Sequence, residues 1–256
     1  MTSFQISLFQ LDNYGPWTTT PHPQPEPVLQ ALQSRLYADL VEAIGEYDGY
    51  TFFGRFDNIV ALTHGIDRTA HRAIQQRIAD SYPVTVSAGI GTGQTPTAAL
   101  TDATQQLQST GSAQDPDRTA ELVGNTLDSP DEMQIAHFDI VDVTSTMTDQ
   151  IDAHGAMLQV GTAALSLSSF LYQQKDALAY FVGGDNVIAI CPPSLSQQDY
   201  QDALDHVLEQ HDIPFQVGVG MGTQATDAGM DAKHALEQCR DNGTQIEGLQ
   251  VASADD

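Results

Sequence analysis

The fold of this chain is decided by two stretches that resemble one another, YTFFGRFDNIVAL at residues 50–62 and LAYFVGGDNVIAI at residues 178–190. In each stretch two apolar runs flank an Asp-Asn pair, an arrangement typical of a β-hairpin whose tip carries the Asx residues. The two aspartates, Asp57 and Asp185, are 128 residues apart (185 − 57 = 128). A hairpin that recurs at this distance indicates that the second half of the chain repeats the first.

Two further landmarks recur in the same order around the hairpins. The strand pattern FQISLFQL ends before Asp12 and the pattern QIAHF ends before Asp139, an offset of 127 (139 − 12 = 127). The glycine-bearing stretches VTVSAGIGTG and FQVGVGMGTQ align Gly91 with Gly220, an offset of 129 (220 − 91 = 129). Three landmarks at nearly the same spacing indicate a tandem duplication.

Helical periodicity completes each half. Apolar residues from Leu29 to Ile44 fall on one helical face, and a matching helix is predicted over residues 154–174. A further helix lies between the hairpin and the glycine-bearing strand, and another follows that strand. The sequence therefore predicts an α+β fold of two ferredoxin-like domains, at residues 1–120 and 121–256, each β-α-β-β-α-β with an antiparallel sheet.

Two local patterns have simpler interpretations. The glycines around Gly91 and Gly220 only superficially resemble a dinucleotide fingerprint, because the βαβ context is missing, so we expect them to allow tight packing of a helix on a strand. The stretch PWTTTPHPQPEP at residues 16–27 is predicted to be a proline-rich loop. Tyr14 or Trp17 in this region could stack on a base.

The composition excludes several classes of function. The chain carries 34 Asp and Glu against 9 Lys and Arg, a net charge of −25. Such a surface repels nucleic acid and anionic lipid, so we expect neither as a partner. Concentrated salt would screen the self-repulsion, which indicates a halophilic protein. Only Cys191 and Cys239 are present, and no signal-peptide or membrane-spanning pattern occurs, so we expect a cytoplasmic protein.

The repeated aspartates predict metal binding. In the predicted topology the first strand and the hairpin are central neighbours, so Asp12 should meet Asp57, and Asp139 should meet Asp185. Carboxylates that close repel one another unless a cation lies between them, and such oxygen ligands select Mg²⁺ or Mn²⁺. A lone aspartate at a strand end is more often a turn or cap residue, but the duplicated placement favours a metal site. Two ions would allow two-metal activation of water at a phosphorus atom.

Phosphate contacts are predicted next to the second hairpin tip. Gly183 and Gly184 have no side chains, so a phosphate can approach their backbone closely. The first hairpin has Arg55 at the corresponding place, and its guanidinium could bind phosphate directly. His137 shares a strand face with Asp139 and could act as a proton shuttle, although a structural role is the more common one for such a histidine.

The motifs together resemble a known family. FDIVDVT followed by GGDN resembles the metal-binding pattern of nucleotide-cyclase and diguanylate-cyclase palm domains. Over almost the whole chain, LDNYGPWT, LQALQSRLY, RFDNIVALTHGID, GSAQD, QIAHFDI and FVGGDN are similar, in this order, to archaeal GTP cyclohydrolase III. This chain differs in being far more acidic, and its last 15 or so residues carry no signal.

The resemblance implies an activity. Members of that family use Mg²⁺ to convert GTP into 2-amino-5-formylamino-6-ribosylamino-4(3H)-pyrimidinone 5′-phosphate and two orthophosphates. The imidazole ring opens at C8 and the formyl group is kept. The product feeds the synthesis of flavin and deazaflavin cofactors. The resemblance also implies a homo-oligomer, a dimer or a tetramer, with a palm-type fold in each half.

The resemblance also assigns roles to residues by motif position. Asp139 and Asp185 would be metal ligands and catalytic carboxylates, with Asp142 nearby and two or more Mg²⁺ ions per site. Asp12 and Asp57 hold the same places in the first half. Further candidates for contacts to the guanine edge are the neighbouring asparagines, namely Asn13, Asn58 and Asn186.

Several alternatives stay open at this point. A nucleotide cyclase or diguanylate-cyclase-like enzyme on the same palm would release pyrophosphate, although diguanylate cyclases usually carry an acidic residue where this chain has Asn186. The other alternative is a non-catalytic module that senses GTP or a metal. The sequence leaves open which half holds the productive metal cluster and whether K⁺ is a monovalent activator.

Overall fold

A computed structural model describes residues 3–129 and 131–249 of the chain. The chain divides into two compact units, one of Met1–Asp131 with Gln224–Thr226 and one of Glu132–Thr223 with Asp227–Asp256. We call them the first and the second unit. The first unit therefore extends to Asp131 and not to the predicted boundary at residue 120. The reason is a short strand, β5, that follows residue 120 and belongs to the first sheet.

The first unit is a five-stranded sheet with helices. Its elements are β1 Phe4–Leu11, α1 Tyr14–Thr19, α2 Glu26–Gly45, β2 Tyr50–Arg55, β3 Asn58–Leu62, α3 Arg68–Ser81, β4 Val86–Gly93, α4 Pro96–Gln108 and β5 Leu122–Gly124. The strand order is β2-β3-β1-β4-β5. All neighbours are antiparallel except β4 and β5. The central strand β1 therefore lies beside the β2–β3 hairpin, as the sequence predicts.

The second unit repeats this arrangement. Its elements are β6 Met133–Ile140, a π-helical turn Thr144–Thr148, α5 Ala153–Gln174, β7 Leu178–Gly183, β8 Asn186–Cys191, α6 Gln197–His211, β9 Phe215–Gly222, α7 Ala225–Asn242 and β10 Ile246–Glu247. The strand order β10-β9-β6-β8-β7 matches that of the first sheet, with β10 parallel to β9. Both sheets are thus mainly antiparallel and both units are α+β.

Each unit has its own hydrophobic core on one face of its sheet. In the first unit Phe9 and Leu11 of β1 pack with buried residues of α2 and α3, among them Leu40 and Ile74. In the second unit β6 contributes Phe138 to a core shared with α5 and α6. Because strand side chains alternate between faces, the residues on either side of these apolar ones point to the opposite face.

The opposite face of each sheet carries the last long helix directly on glycines. A Cβ atom added at Gly91 would overlap the backbone of Ala99 and Ala103 in α4, and one added at Gly220 would overlap the backbone of α7. The prediction that these glycines serve tight packing of a helix on a strand is therefore confirmed. Such contact leaves no room for a bound dinucleotide at these glycines.

The structure differs from the sequence prediction in its short elements. The stretch predicted to be a proline-rich loop begins within a short helix, α1, and Pro16 lies in its first turn, where its missing N–H leaves no hydrogen bond unmade. The strands β5 and β10 and the π-helical turn were not predicted. Among the described residues, no helix is long and apolar enough to cross a membrane.

Candidate metal and nucleotide site

The two predicted carboxylates of the second unit come together beside the β7–β8 hairpin. Asp139 is near the end of the central strand β6, and its side chain is only 8% exposed. Asp185 lies in the hairpin turn, where Asn186 donates a hydrogen bond of 3.0 Å to its Oδ1. The Asp139 carboxylate is close enough to Asp185 to raise the pKa of Asp185, together with the larger effect of burial. The two aspartates are therefore close enough to interact.

The partners of Asp139 leave part of its carboxylate available. Gln216 and Arg240 both donate to Oδ2, at 3.0 and 2.8 Å. Among the described residues no donor contacts Oδ1. Asp142 lines a cavity of about 550 Å³ together with Asp139. No group of three or more His, Cys, Asp or Glu that could hold a metal ion occurs in the described part of the chain.

This donor set fits Mg²⁺ and does not fit zinc. Mg²⁺ is usually held by one or two carboxylates, with water and substrate phosphates completing its octahedron. Asp185 has a raised pKa, and one carboxylate oxygen of Asp139 receives no hydrogen bond from the described residues. A cation placed between two such carboxylates would relieve their repulsion. A structural zinc site would require four protein ligands.

The hairpin tip has the backbone conformation that its glycines predict. Gly183 and Gly184 have φ values of 114° and 65°, a region that glycine adopts without strain. The pairing of β7 with β8 is irregular between Phe181 and Gly183. Space for an anionic group therefore exists next to Asp185 without a side chain in the way, since a Cβ atom at Gly183 would meet nothing within 4 Å.

His137 and Asn186 form a support for this hairpin. The His137 Nε2–H donates to Asn186 Oδ1 at 2.8 Å, and the amide nitrogen of Asn186 contacts Asp185. Burial is the largest cause that lowers the pKa of His137. Both ends of the Asn186 amide are engaged, which favours a positioning role for Asn186 over the predicted contact with guanine. The proton-shuttle role of His137 stays a prediction.

Two basic residues on α7 were missed by the sequence reasoning. Lys233 and Arg240 line a cavity of about 360 Å³ together with His137, Gly183 and Asn186. Their spacing of seven residues on a helix, in a half with so few bases, is the signal that could have revealed them. Lys175, the other base of that half, forms ion pairs with two aspartates elsewhere. The positive charge of the second unit is therefore concentrated next to the acidic pair.

The corresponding place in the first unit is filled by the protein itself. The Asp12 carboxylate accepts hydrogen bonds from Thr85 Oγ1 at 2.7 Å, Ser87 Oγ at 2.6 Å and the Ala120 N–H at 2.9 Å. Arg118 Nε lies 3.1 Å from Asp12 Oδ1, and both side chains are only 2% exposed. The guanidinium takes the place that a metal ion would need. The residues of the first unit therefore do not fit a metal at Asp12.

Asp57 does not complete a metal site either. It forms an ion pair of 3.1 Å with Arg55, and both side chains are exposed. Arg55 is thus directed at a carboxylate of its own hairpin, and its predicted phosphate contact would require this pair to open. Gln10 donates to Asn58 Oδ1 at 2.9 Å, in the way that His137 donates to Asn186. The duplicated framework is therefore kept in the first unit, while its carboxylates are neutralised by arginines.

Some predicted nucleotide contacts of the first unit remain available. Asn13 Oδ1 and Asn58 Nδ2 are buried and have no hydrogen-bond partner among residues 3–129 and 131–249. The rings of Tyr14 and Trp17 stack on one another, with centroids 6.0 Å apart, and pack against the core. Neither ring therefore presents two free faces, and their predicted contact with a base is untested.

An acidic pair beside a glycine tip and two cations defines the class of site: a candidate metal-assisted site for a phosphate-bearing ligand. The model of the GTP cyclohydrolase III family matches residues 6–255, and the chain belongs to that family. It is 51% identical over 251 residues to GTP cyclohydrolase III 1 of Halobacterium salinarum, which covers 96% of this chain and 98% of the relative. It is 48% identical over 256 residues to GTP cyclohydrolase III of Halorubrum lacusprofundi, 99% of each chain. Among solved structures, the GGDEF domain of DgcB from Caulobacter crescentus is 14% identical, with a TM-score of 0.39 over 47% of this chain and 77% of that one.

Proposed function

We propose that this protein hydrolyses GTP in a Mg²⁺-dependent reaction that opens the imidazole ring at C8 and keeps the formyl group. The products are 2-amino-5-formylamino-6-ribosylamino-4(3H)-pyrimidinone 5′-phosphate and two orthophosphates, for flavin and deazaflavin cofactor synthesis. The observation that carries the proposal is the Asp139–Asp185 pair in a chain that belongs to the GTP cyclohydrolase III family over nearly its whole length.

In this proposal Asp139 and Asp185 hold Mg²⁺ and Asp12 and Asp57 do not. The support is the contrast between the two units: Oδ1 of Asp139 has no donor in the described part of the chain, whereas both oxygens of Asp12 are engaged. When bound, Mg²⁺ supplies neutralisation of phosphate charge and activation of water. Asp142 lines the same cavity as Asp139 and would be a further carboxylate near the ions.

The chain's own cations bind and orient the phosphates. Arg240 stays within 2.8 Å of Asp139, and its side chain is 51% exposed, so the same guanidinium can contact the carboxylate and a phosphate oxygen. Lys233 lines the cavity of about 360 Å³ together with Gly183 and Arg240. Gly183 and Gly184 allow the phosphate to approach the backbone. His137 positions the tip through Asn186, and it is a candidate for moving a proton at its Nε2 atom.

The finer architecture and the assembly are part of the proposal. We take the two units to be duplicated ferredoxin-like domains of the palm type, because their sheets have the same strand order. We expect a homo-oligomer, since Leu165 and Tyr172 on the uncharged helix α5 are 73% and 54% exposed. The reducing cytosol suits the two buried free cysteines. Light scattering in molar KCl, with a Leu165→Glu variant, tests the assembly.

One incubation tests the reaction. Pure protein is mixed with GTP, Mg²⁺ and molar KCl, while orthophosphate, pyrophosphate and the ultraviolet spectrum of the purine are followed. About two orthophosphates per GTP, with loss of the purine spectrum, is the expected result. Pyrophosphate with an intact purine would instead show a cyclase, and tight binding of GTP without turnover would show a sensor.

A further inference from the structure

A buried glutamine, Gln216, holds the Asp139 carboxylate from the neighbouring strand. Gln216 is in β9 and lies directly opposite Asp139 of β6 in the antiparallel pairing. Its Nε2 donates to Asp139 Oδ2 at 3.0 Å, and the residue is only 7% exposed. Gly218 and Gly220 share this face of β9, and a Cβ atom at either would overlap α7. The amide and the carboxylate therefore lie on the face that α7 covers.

The two donors of Asp139 differ in burial and in charge. Arg240 also donates to Oδ2, at 2.8 Å, but its side chain is 51% exposed. An exposed guanidinium can leave the carboxylate for another anion or for water, whereas the Gln216 amide is buried against its partner. The guanidinium also opposes a cation at Asp139, because positive charges a few ångströms apart repel each other, and an amide carries no net charge. Gln216 is therefore the donor that is compatible with a metal ion at Asp139.

Both donors act on the same carboxylate oxygen. Gln216 and Arg240 contact Oδ2, and within the described ranges no residue donates to Oδ1. Hydrogen bonds to one oxygen give a carboxylate a defined orientation, and carboxylates that bind metals are usually held in this way. Fixing Oδ2 leaves Oδ1 as the oxygen that is available to a cation.

The first unit uses such donors in the opposite way. Ser87 of β4, the strand that takes the place of β9 in the first sheet, donates to Asp12 Oδ1 at 2.6 Å. Thr85 donates to Oδ2 at 2.7 Å, so each oxygen of Asp12 is engaged. Donors on both oxygens occupy the carboxylate, whereas a buried donor on one oxygen orients it and leaves the other oxygen for a cation.

We propose that Gln216 is a positioning residue of the metal site: its buried amide fixes Asp139 Oδ2 and thereby presents Oδ1 to Mg²⁺. The inference rests on the proposed function, because it takes Asp139 to be a metal ligand. Gln216 acts only through Asp139. Without the amide the carboxylate is free to rotate towards Arg240 or solvent, and the metal affinity falls. Loss of such a partner typically lowers metal affinity by about 10- to 100-fold.

The experiment measures binding of Mn²⁺ to the full chain in molar KCl without nucleotide, by the electron paramagnetic resonance signal of the free ion. Mn²⁺ serves as the probe because it prefers the same oxygen ligands as Mg²⁺. Gln216→Met removes the N–H donor and keeps an unbranched side chain of similar length. Its dissociation constant for Mn²⁺ should be about 10- to 100-fold higher than that of the wild type. Gln216→Leu removes the same donor with a different shape, should give the same result, and serves if the methionine variant does not fold.

Gln134→Met is the matched control. Gln134 is another buried glutamine of the second unit, 2% exposed, and its Nε2 donates to Pro193 O at 3.0 Å. It lies five residues before Asp139 (139 − 134 = 5), about 17 Å along β6. The control variant should lower the Tm, because a carbonyl loses its donor, and should bind Mn²⁺ as the wild type does. Asp139→Asn measures the Mn²⁺ that other carboxylates of the chain bind.

Turnover of GTP gives a second readout, which a purely structural role of Gln216 would not produce. In Gln216→Met the Mg²⁺ concentration for half-maximal rate should rise. The kcat at saturating Mg²⁺ and the KM for GTP should stay close to the wild-type values. A loss of kcat that saturating Mg²⁺ does not restore would overturn the inference.

The Mn²⁺ measurement separates this inference from the proposed function. If Asp139→Asn loses Mn²⁺ while both Gln216 variants keep the wild-type affinity, the role of Gln216 is overturned and the metal assignment stands. Equal binding of Mn²⁺ by the wild type and Asp139→Asn would overturn both. Weaker Mn²⁺ binding by the Gln216 variants, in a protein that leaves GTP intact, would support the role of Gln216 and refute the ring-opening reaction alone.

Discussion

Replacing Arg118 by methionine removes the guanidinium that neutralises Asp12 inside the first unit. Both side chains are 2% exposed, and Arg118 also donates to Gln10 Oε1 at 2.9 Å. Removing one partner of a buried ion pair typically costs about 3–5 kcal/mol, because the other charge stays buried without compensation. Thr85, Ser87 and the Ala120 N–H still donate to Asp12, which places the expected loss at the lower end, about 3 kcal/mol.

The assay uses the single tryptophan of the chain, Trp17, which belongs to the first unit. Its fluorescence is followed during thermal unfolding in molar KCl, at fixed pH. A loss of about 3 kcal/mol corresponds to a Tm lower by roughly 10 °C for a unit of this size. Arg77→Met is the matched control, since Arg77 pairs with exposed Glu42 and Glu46, and such surface pairs contribute about 0–1 kcal/mol.

The same experiment with and without Mg²⁺ tests the assignment of the metal. The wild-type transition of Trp17 should be unchanged by Mg²⁺, because the guanidinium already fills the cation position. If Arg118→Met lowers the free energy of unfolding by less than about 1 kcal/mol, the ion pair with Arg118 is not what neutralises Asp12, and this reasoning is refuted. A wild-type first unit that is strongly stabilised by Mg²⁺ would refute it as well.

Three further predictions concern other parts of the fold. Burial and Asp139 raise the pKa of Asp185, so the ionised carboxylate destabilises the folded protein at pH values above the usual pKa of an aspartate. Asp185→Asn should therefore raise the Tm measured without Mg²⁺. The variant should also abolish the increase of the Tm that Mg²⁺ causes in the wild type. Gly91→Ala should destabilise the first unit strongly in urea unfolding, because the added Cβ atom would overlap the backbone of α4. Gly45→Ala is the control: its added Cβ atom meets nothing within 4 Å, so this variant should stabilise the unit by about 0.5–1 kcal/mol. Burial is the largest cause that lowers the pKa of His71. The stability contributed by the buried neutral imidazole is therefore complete above pH 6.5 and is lost as the pH falls below that value. His71→Gln should reduce the decrease of the Tm between pH 7.5 and pH 5.5.

Much of the fold could be predicted because the two halves of the sequence carry the same patterns. Each hairpin, each first strand and each glycine-bearing strand has a second copy against which its pattern can be checked. The strands β5 and β10 escaped prediction because three and two residues are too few for any periodicity, and their pairing depends on edges formed by distant residues. The helix α1 was missed because Pro16 and the prolines that follow the helix indicate a loop.

The site was predictable only in part, for a physical reason. The duplication correctly placed Asp139 next to Asp185, but it also gave Asp12 and Asp57 the same role. What separates the two pairs is an arginine that lies 106 residues after Asp12 in the chain (118 − 12 = 106) and reaches it only in the folded unit. Sequence position does not show which carboxylate is already neutralised.

The measurement that tests the central claim most directly is the rate of GTP turnover in two variants at matching positions, Asp185→Asn and Asp57→Asn. The account predicts that Asp185→Asn lowers kcat by about 100-fold or more, because it removes a proposed metal ligand. Asp57→Asn should stay within a few-fold of the wild-type kcat, since Asp57 is an exposed partner of Arg55. A loss at Asp57 as large as that at Asp185, or full activity of Asp185→Asn, would contradict the account.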